Sequence, residues 1–388
     1  MSERTYRVIT HIHSVESNAL ASPGYDQITQ LSRRILGAAL DRVHWCECLT
    51  TVSTLMEVLE GKRTVRPVDL LFVTDHKSPR QHRIPADLIR TAAACPRLGI
   101  GAEIVTFVLT EAGAWIAAPE ILMYGPAEPH LTAGGRYYGL SDQILHEVFA
   151  ACTPPGAPGP ELARVVRYCL DRRIAYAASH PLDGNRLPLV DLLRVLRLFP
   201  FIETVNGGFS KKSARLLTRL LQSENQRALA RGTGPTEPAA ASREPEFHVR
   251  HMLGGSDAHL RDFDRAVTRF VSPRADPSAG DFIVAMLAAA DDPLGADGRF
   301  TPEGHGIGLL ALGREVIGLV HRNITNNRHA IRGVLPTARL MLTAVSQLWK
   351  ADRSSRGRQR ELSRYLDASE RSRSGSTASA PSAPAATC

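Results

Sequence analysis

The stretch Tyr6-Arg7-Val8-Ile9-Thr10-His11-Ile12-His13 decides how the chain is read: an apolar run that closes on two histidines one residue apart. Taken alone the pair says little, because a histidine at a strand end is more often a hydrogen-bonded structural residue than a ligand. Four later apolar runs close in the same way. Leu70-Leu71-Phe72-Val73-Thr74 leads to Asp75 and His76, Ile100-Gly101-Ala102 to Glu103, the run from Ile174 to Ser179 to His180, and Met252-Leu253-Gly254-Gly255-Ser256 to Asp257 and His259. The pattern reads as metal ligands placed at the ends of strands.

Short apolar runs without helical periodicity read as strands buried on both faces. The spacers between them carry helix patterns, such as Leu162-Ala163-Arg164-Val165-Val166-Arg167-Tyr168-Cys169-Leu170. That alternation predicts parallel β/α units. In a closed β/α barrel the C-terminal strand ends converge on one mouth, so ligands far apart in sequence meet. Imidazoles with carboxylates and no cysteine suit two or three divalent ions of manganese, iron or zinc. A carboxylate such as Glu103 can bridge two of them, and closely spaced ions clamp phosphoryl oxygens and hold a hydroxide.

In order and wording, the segments HIHSVESN, VTDHKS, GAEI, ASHP, FIETVNG and GGSDAH resemble the polymerase and histidinol phosphatase (PHP) domains, over roughly residues 6 to 272. The resemblance implies a distorted seven-stranded β/α barrel whose metal cluster hydrolyses phosphate esters. Carried over, it implies one ion on His11, His13, Glu103 and Asp257, a second on His76 and His259, and a third on Glu103 and His180. Two positions depart from the family pattern. Asn18 stands where an aspartate or histidine is usual, with Glu16 as a substitute ligand, and Glu120 opens the run Ile121 to Tyr124 where the family has a histidine. An amide is a poorer ligand than a carboxylate, and the added acid favours harder ions such as manganese.

The expected activity is metal-assisted hydrolysis of a small phosphomonoester, a metal-held hydroxide attacking phosphorus in line. Lys77, Arg80, Arg186 and Lys211 follow strand-end motifs and are the candidates to grip phosphate. His180 and His259 are the candidate proton donors to the leaving group, with metal-bound water equally open. Glu203, in Phe201-Ile202-Glu203-Thr204-Val205-Asn206, reads as a residue behind the ligands rather than one of them. Two other classes stay open: a phosphodiester or oligonucleotide hydrolase, and a binding or scaffold protein with weakened catalysis.

At 388 residues, the chain holds one large barrel with attachments. The expected division is a barrel over 1–300, a helical extension over 301–350, and a tail over 351–388 that is basic and then of low complexity and disordered. The 56 residues between Asn18 and Asp75 read as an insertion, with a helix from Thr50 to Gly61, and Arg231 to Glu246 as a loop. The helical extension packs on the barrel, or serves as a homo-oligomer interface.

No signal-peptide pattern opens the chain, and the run from Phe282 to Ala290 is too short to span a bilayer, so a cytoplasmic protein with no membrane partner is expected. The six cysteines have no disulfide-framework spacing and read as reduced thiols. Net charge is +8, and the segment from Lys350 to Arg373, with eight basic and four acidic residues, carries half of it. That distribution favours a small phosphorylated substrate over nucleic acid.

Overall fold

A computed structural model describes residues 3–15, 17, 48, 50–79, 81–182, 187–207, 210–230, 247–257, 263–294, 298–305, 317, 318, 321, 322, 325 and 356–371. Glu16, Asn18, Arg80, Arg186 and His259 lie outside these residues, as do the loop 231–246 and nearly all of the expected helical extension.

The chain is a mixed α/β protein. Its first strand, β1 (Arg4–Ile12), pairs in parallel with β2 (Leu70–Val73), which pairs in parallel with β4 (Leu98–Ile100). Two short strands continue past the ends of these: β3 (His76–Lys77) after β2, and β5 (Ala102–Ile104) after β4. β3 and β5 pair with each other in a second sheet, which runs on through β8 (Ile121–Pro126), β11 (Ile174–Ala178), β12 (Phe201–Asn206) and β13 (His251–Gly255). The first sheet is completed by β9 (His130–Thr132) and β10 (Gly135–Gly139) on one side and by β14 (Ala266–Ser272) and β15 (Phe300–Gly304) on the other. β13 also meets β1: the Asp257 amide donates to His11 O at 2.8 Å, and Thr10 Oγ1 to Gly254 O at 3.0 Å.

β14 and β15 at one edge of the first sheet and β9 at the other pair antiparallel, and in the second sheet one strand departs from the parallel pattern. β8 runs antiparallel to both β5 and β11. A hairpin of β6 (Phe107–Leu109) and β7 (Trp115–Ala117) turns the chain round between β5 and β8. Its neck is pinched where the Ala118 amide donates to Thr106 O at 2.9 Å and Thr106 Oγ1 donates to Pro119 O at 2.8 Å.

The strands bury both faces, as their unbroken apolar runs require. Val8, Leu70, Phe72, Leu122, Tyr124, Ala175 and Ala177 face one cluster, joined by Phe282 of α7 (Ala279–Asp291). Phe282 lies 5.3 Å from Phe72, 5.2 Å from Phe270 and 5.6 Å from Phe300 between ring centroids. The opposite faces pack against α1 (Val52–Leu59), α2 (Ala86–Ala94), α3 (Asp142–Cys152), α4 (Leu162–Asp171), α5 (Leu189–Val195) and α6 (Lys211–Ala230).

Helix starts follow local chemistry. Thr51 and Ser141 accept N-cap hydrogen bonds at α1 and α3, and Ser278 with Asp281 forms a capping box at α7. α1 lies inside the helix expected over Thr50–Gly61 and buries Leu55, Val58 and Leu59.

The tail requires a correction. Residues 356–371 form a helix, α8, whose Leu362 and Leu366 are fully buried in the cluster shared with α6. The reading of 351–388 as a basic and then disordered tail fails over this helix, where Gln359, Leu362 and Leu366 fall on one buried helical stripe. Among the described residues no helix is long and apolar enough to cross a membrane. Cys48, Cys95, Cys152 and Cys169 are free thiols.

Candidate metal centre

His11 and His13 come from the end of β1, where a register shift between Ile9 and Ile12 breaks strict alternation. Such an irregularity re-aims side chains, and both imidazoles face the same cluster. His11 Nε2 lies 3.1 Å from His13 Nε2 and 3.2 Å from Glu103 Oε2. His13 Nε2 lies 3.2 Å from Asp257 Oδ1, and His76 Nε2 3.3 Å from Glu103 Oε2. On the far side of Glu103, His180 Nε2 sits 3.2 Å from Oε1, and 3.3 Å from Glu120 Oε2. Two groups have ligand atoms all within 4.8 Å of one another: His11, His13 and Glu103, and His76, Glu103 and Glu120. Glu103 belongs to both.

The direction of β8 explains the place of Glu120. Ligands from the parallel strands follow their apolar runs, whereas Glu120 precedes its own, because the start of an antiparallel strand lies beside the ends of its neighbours. Sequence reading has Glu120 opening its apolar run, and the reversed strand accounts for that place.

Behind the ligands, Glu203 on β12 ties three strands together. Its Oε1 lies 3.1 Å from His11 Nδ1, while Oε2 accepts from the His180 amide at 3.0 Å and from Asn206 Nδ2 at 2.8 Å. Gly255 makes room for this carboxylate, since a Cβ there would collide with Glu203 Oε1 and His11 Cβ. Asp75 plays a similar part for β1, accepting from the Ser14 amide at 2.6 Å and the Ser14 hydroxyl at 2.8 Å. Behind His13, the buried Cys48 thiol donates to His13 O at 3.0 Å, and burial pushes its pKa up to about 12.

The cluster is buried: His11 and Glu103 are 0% exposed, and His180 only 7%. Glu103 Oε1 and Glu120 Oε2 are enclosed without a well-formed hydrogen bond although imidazole nitrogens face them. Enclosed anions need cations, either protons or metal. In the metal-free protein the protons are held tightly. Burial, the largest effect, opposes a charged His11, yet Glu103, Glu203 and Asp257 outweigh it and raise its pKa well above the usual value. The same contest raises His180 to about 10, its bonding and charge interaction with Glu103 prevailing over burial. Burial and then the Glu103 charge raise Glu120 well above the carboxylate range. Burial opposes an ionised Glu103, yet the charge and hydrogen bond of His11 outweigh it and hold its pKa well below the usual value. His76, dominated by burial, drops to about 3 and is neutral.

Two candidate ligands sit on strained backbone. His180 has φ 21° and Asp257 φ 46°, both in the left-handed region without being glycine. Conformations of this kind cost about 1–3 kcal/mol and persist where the surroundings over-determine them.

No protein-family model and no curated protein matches the chain. Among solved structures, a similar chain is an amidohydrolase from Chromobacterium violaceum with bound sulfate and no metal. It is 14% identical over 73% of this chain and 96% of its own, with a TM-score of 0.32. That likeness is too distant to carry an argument, and the ligand geometry stands without it.

Of the expected site residues, His11, His13, His76, Glu103, Glu120, His180 and Asp257 come together. His76 groups with Glu103 and Glu120; its expected companion His259 lies outside the described residues. Of the expected phosphate-gripping residues, Lys77 is buried with Nζ donating to Arg83 O at 3.1 Å, and Lys211 is exposed at the start of α6. Sequence reading placed Glu203 behind the candidate ligands but did not name His11 and the His180 amide as its partners. The only signal for it was an acid inside an apolar strand.

Proposed function

We propose that the chain is a metal-dependent hydrolase of phosphate esters, acting on a small phosphorylated substrate. The observation that carries this reading is the pair of buried ligand groups that share Glu103. His11, His13, Glu103 and Asp257 would hold one divalent ion, with His76, Glu120 and His180 completing a second position around Glu103. Such ions, when bound, supply an activated water at neutral pH and neutralise charge building on phosphoryl oxygens.

The protein's own groups do the rest. Glu203 fixes the His11 ring through Nδ1 and leaves Nε2 turned to the cluster. Asp75 and Cys48 hold the peptide between His13 and Ser14, one at its amide and the other at its carbonyl. Glu120, with a side chain 11% exposed, is more open than the enclosed Glu103. The His180–Glu120 pair is suited to hold a proton for the leaving oxygen only where the two groups are not committed to the second ion.

The strand pairing supports a matching architecture. On this reading β1, β2, β4 with β5, β8, β11, β12 and β13 would be the seven staves of a distorted barrel, and the bond from the Asp257 amide to His11 O, which links the two sheets, would lie at its seam. Glu103 and Asp257 would then stand on one rim.

The deciding experiment incubates the protein with manganese, iron and zinc in turn and screens phosphomonoesters and phosphodiesters. Turnover of monoesters that disappears in Glu103→Gln is the expected result. Diester turnover with strong salt dependence would replace the substrate class, and metal-loaded protein inert to both ester classes would reject the hydrolase reading.

A further inference from the structure

Helix α8 comes from a segment with little apolar content, yet it is fastened across the loops that leave β11 and β12. Sixteen residues are marginal as an isolated helix, so packing must hold it. Leu362 and Leu366 enter the apolar cluster that also contains Leu182, Leu187, Leu216 and Leu220. Gln359, 4% exposed, donates to Ser213 Oγ at 2.9 Å and Ser210 Oγ at 3.4 Å. Arg219 pairs with Asp367 and Glu370, and Arg227 donates to Ser369. These ion pairs are exposed and weak individually, so they set register more than stability.

The first turn of α8 makes the informative contact. Arg358 Nη1 donates to the carbonyl of Leu182 at 3.3 Å. Leu182 is two residues beyond His180, whose backbone is held in the left-handed region with its amide bonded to Glu203. Ser210 is four residues beyond Asn206, which also donates to that oxygen of Glu203. The helix thus fastens both loops whose inner ends converge on Glu203.

We infer that α8 is a brace for the candidate metal centre, and that Arg358 is a positioning residue that holds the segment carrying His180. Glu203 constrains His180 from within the strands, and Arg358 constrains its loop from outside. A left-handed residue needs such over-determination. The tail is thereby part of the working unit, and its loss slackens His180 without removing any ligand. The consequence for metal binding rests on the hydrolase reading; the consequence for the backbone does not.

The test uses full-length protein, Arg358→Ala, and Leu362→Asp/Leu366→Asp, which detaches the helix. Hydrogen exchange in the metal-free proteins reads the amides of 178–182, Pro181 having none. Both variants are expected to exchange there at least tenfold faster than the parent, while the amides of β2 are unchanged. Manganese affinity, measured by titration, should fall severalfold in Arg358→Ala, and the fall should vanish when the same change is made in His180→Ala. Unchanged exchange at 178–182 in Arg358→Ala would overturn the brace. So would an equal loss of affinity with and without His180. A parent protein that takes up no metal sinks the hydrolase reading alone, because exchange still decides the brace.

Discussion

Glu203 Oε1 lies 3.1 Å from His11 Nδ1, and the other oxygen of the same carboxylate accepts the amide of His180. One buried acid therefore sets both the ring of one candidate ligand and the backbone of another. Replacing it with glutamine keeps the shape and removes the charge that orients the ring. Glu203→Gln should weaken metal affinity by about 10–100-fold while leaving the fold intact. Titration against a competing chelator measures this, and parental affinity in the variant would show that Glu203 serves the strands alone.

Asp257 supplies an anionic oxygen 3.2 Å from His13 Nε2. Asp257→Asn preserves the side-chain outline and should cost at least one bound ion per chain, since ligands must be deprotonated or anionic to compete for metal. Elemental analysis of purified protein reads the loss; unchanged stoichiometry removes Asp257 from the ligand set.

Metal and protons compete for the cluster. His180, raised to about 10, and His11, raised well above its usual value, both carry protons at neutral pH in the metal-free protein. Binding must expel them, so affinity should rise with pH, and calorimetry in buffers of different ionisation enthalpy should register proton release. The sign for stability follows from the raised pKa. The contribution of His180 to metal-free stability is full below about 6.5, its unfolded value. It is lost as pH climbs through about 10. A denaturation midpoint of the metal-free protein that does not fall across this window would contradict the assignment.

Leu362 is completely buried although it lies in a polar tail. Leu362→Ala should destabilise by about 2–5 kcal/mol, and removal of residues 352–388 should do at least as much. Urea denaturation checks both, and a truncated protein as stable as the parent would mean that α8 contributes no core.

Much of the candidate centre was legible because ligand chemistry at strand ends is a local signal. An apolar run followed by His11, His76, Glu103, His180 or Asp257 can be read without knowing how strands pair. What could not be read is what pairing alone decides. A short run such as Ile121 to Tyr124 carries no mark of direction, so the reversal of β8 entered only with its partners. The bond from Glu203 to His11 spans 192 residues. Helix α8 was misjudged because two leucines and a glutamine amid charges are a faint stripe, strong only against the apolar face of α6.

The pinched hairpin between Glu103 and Glu120 separates two kinds of inheritance. Below its neck, at Thr106, Ala118 and Pro119, the backbone is locked and the two carboxylates are fixed relative to each other. Above it, the exposed turn from 111 to 114 can lengthen, shorten or change its side chains without transmitting the alteration to either acid. Descendants of this chain can therefore vary this turn while leaving the two carboxylates in place.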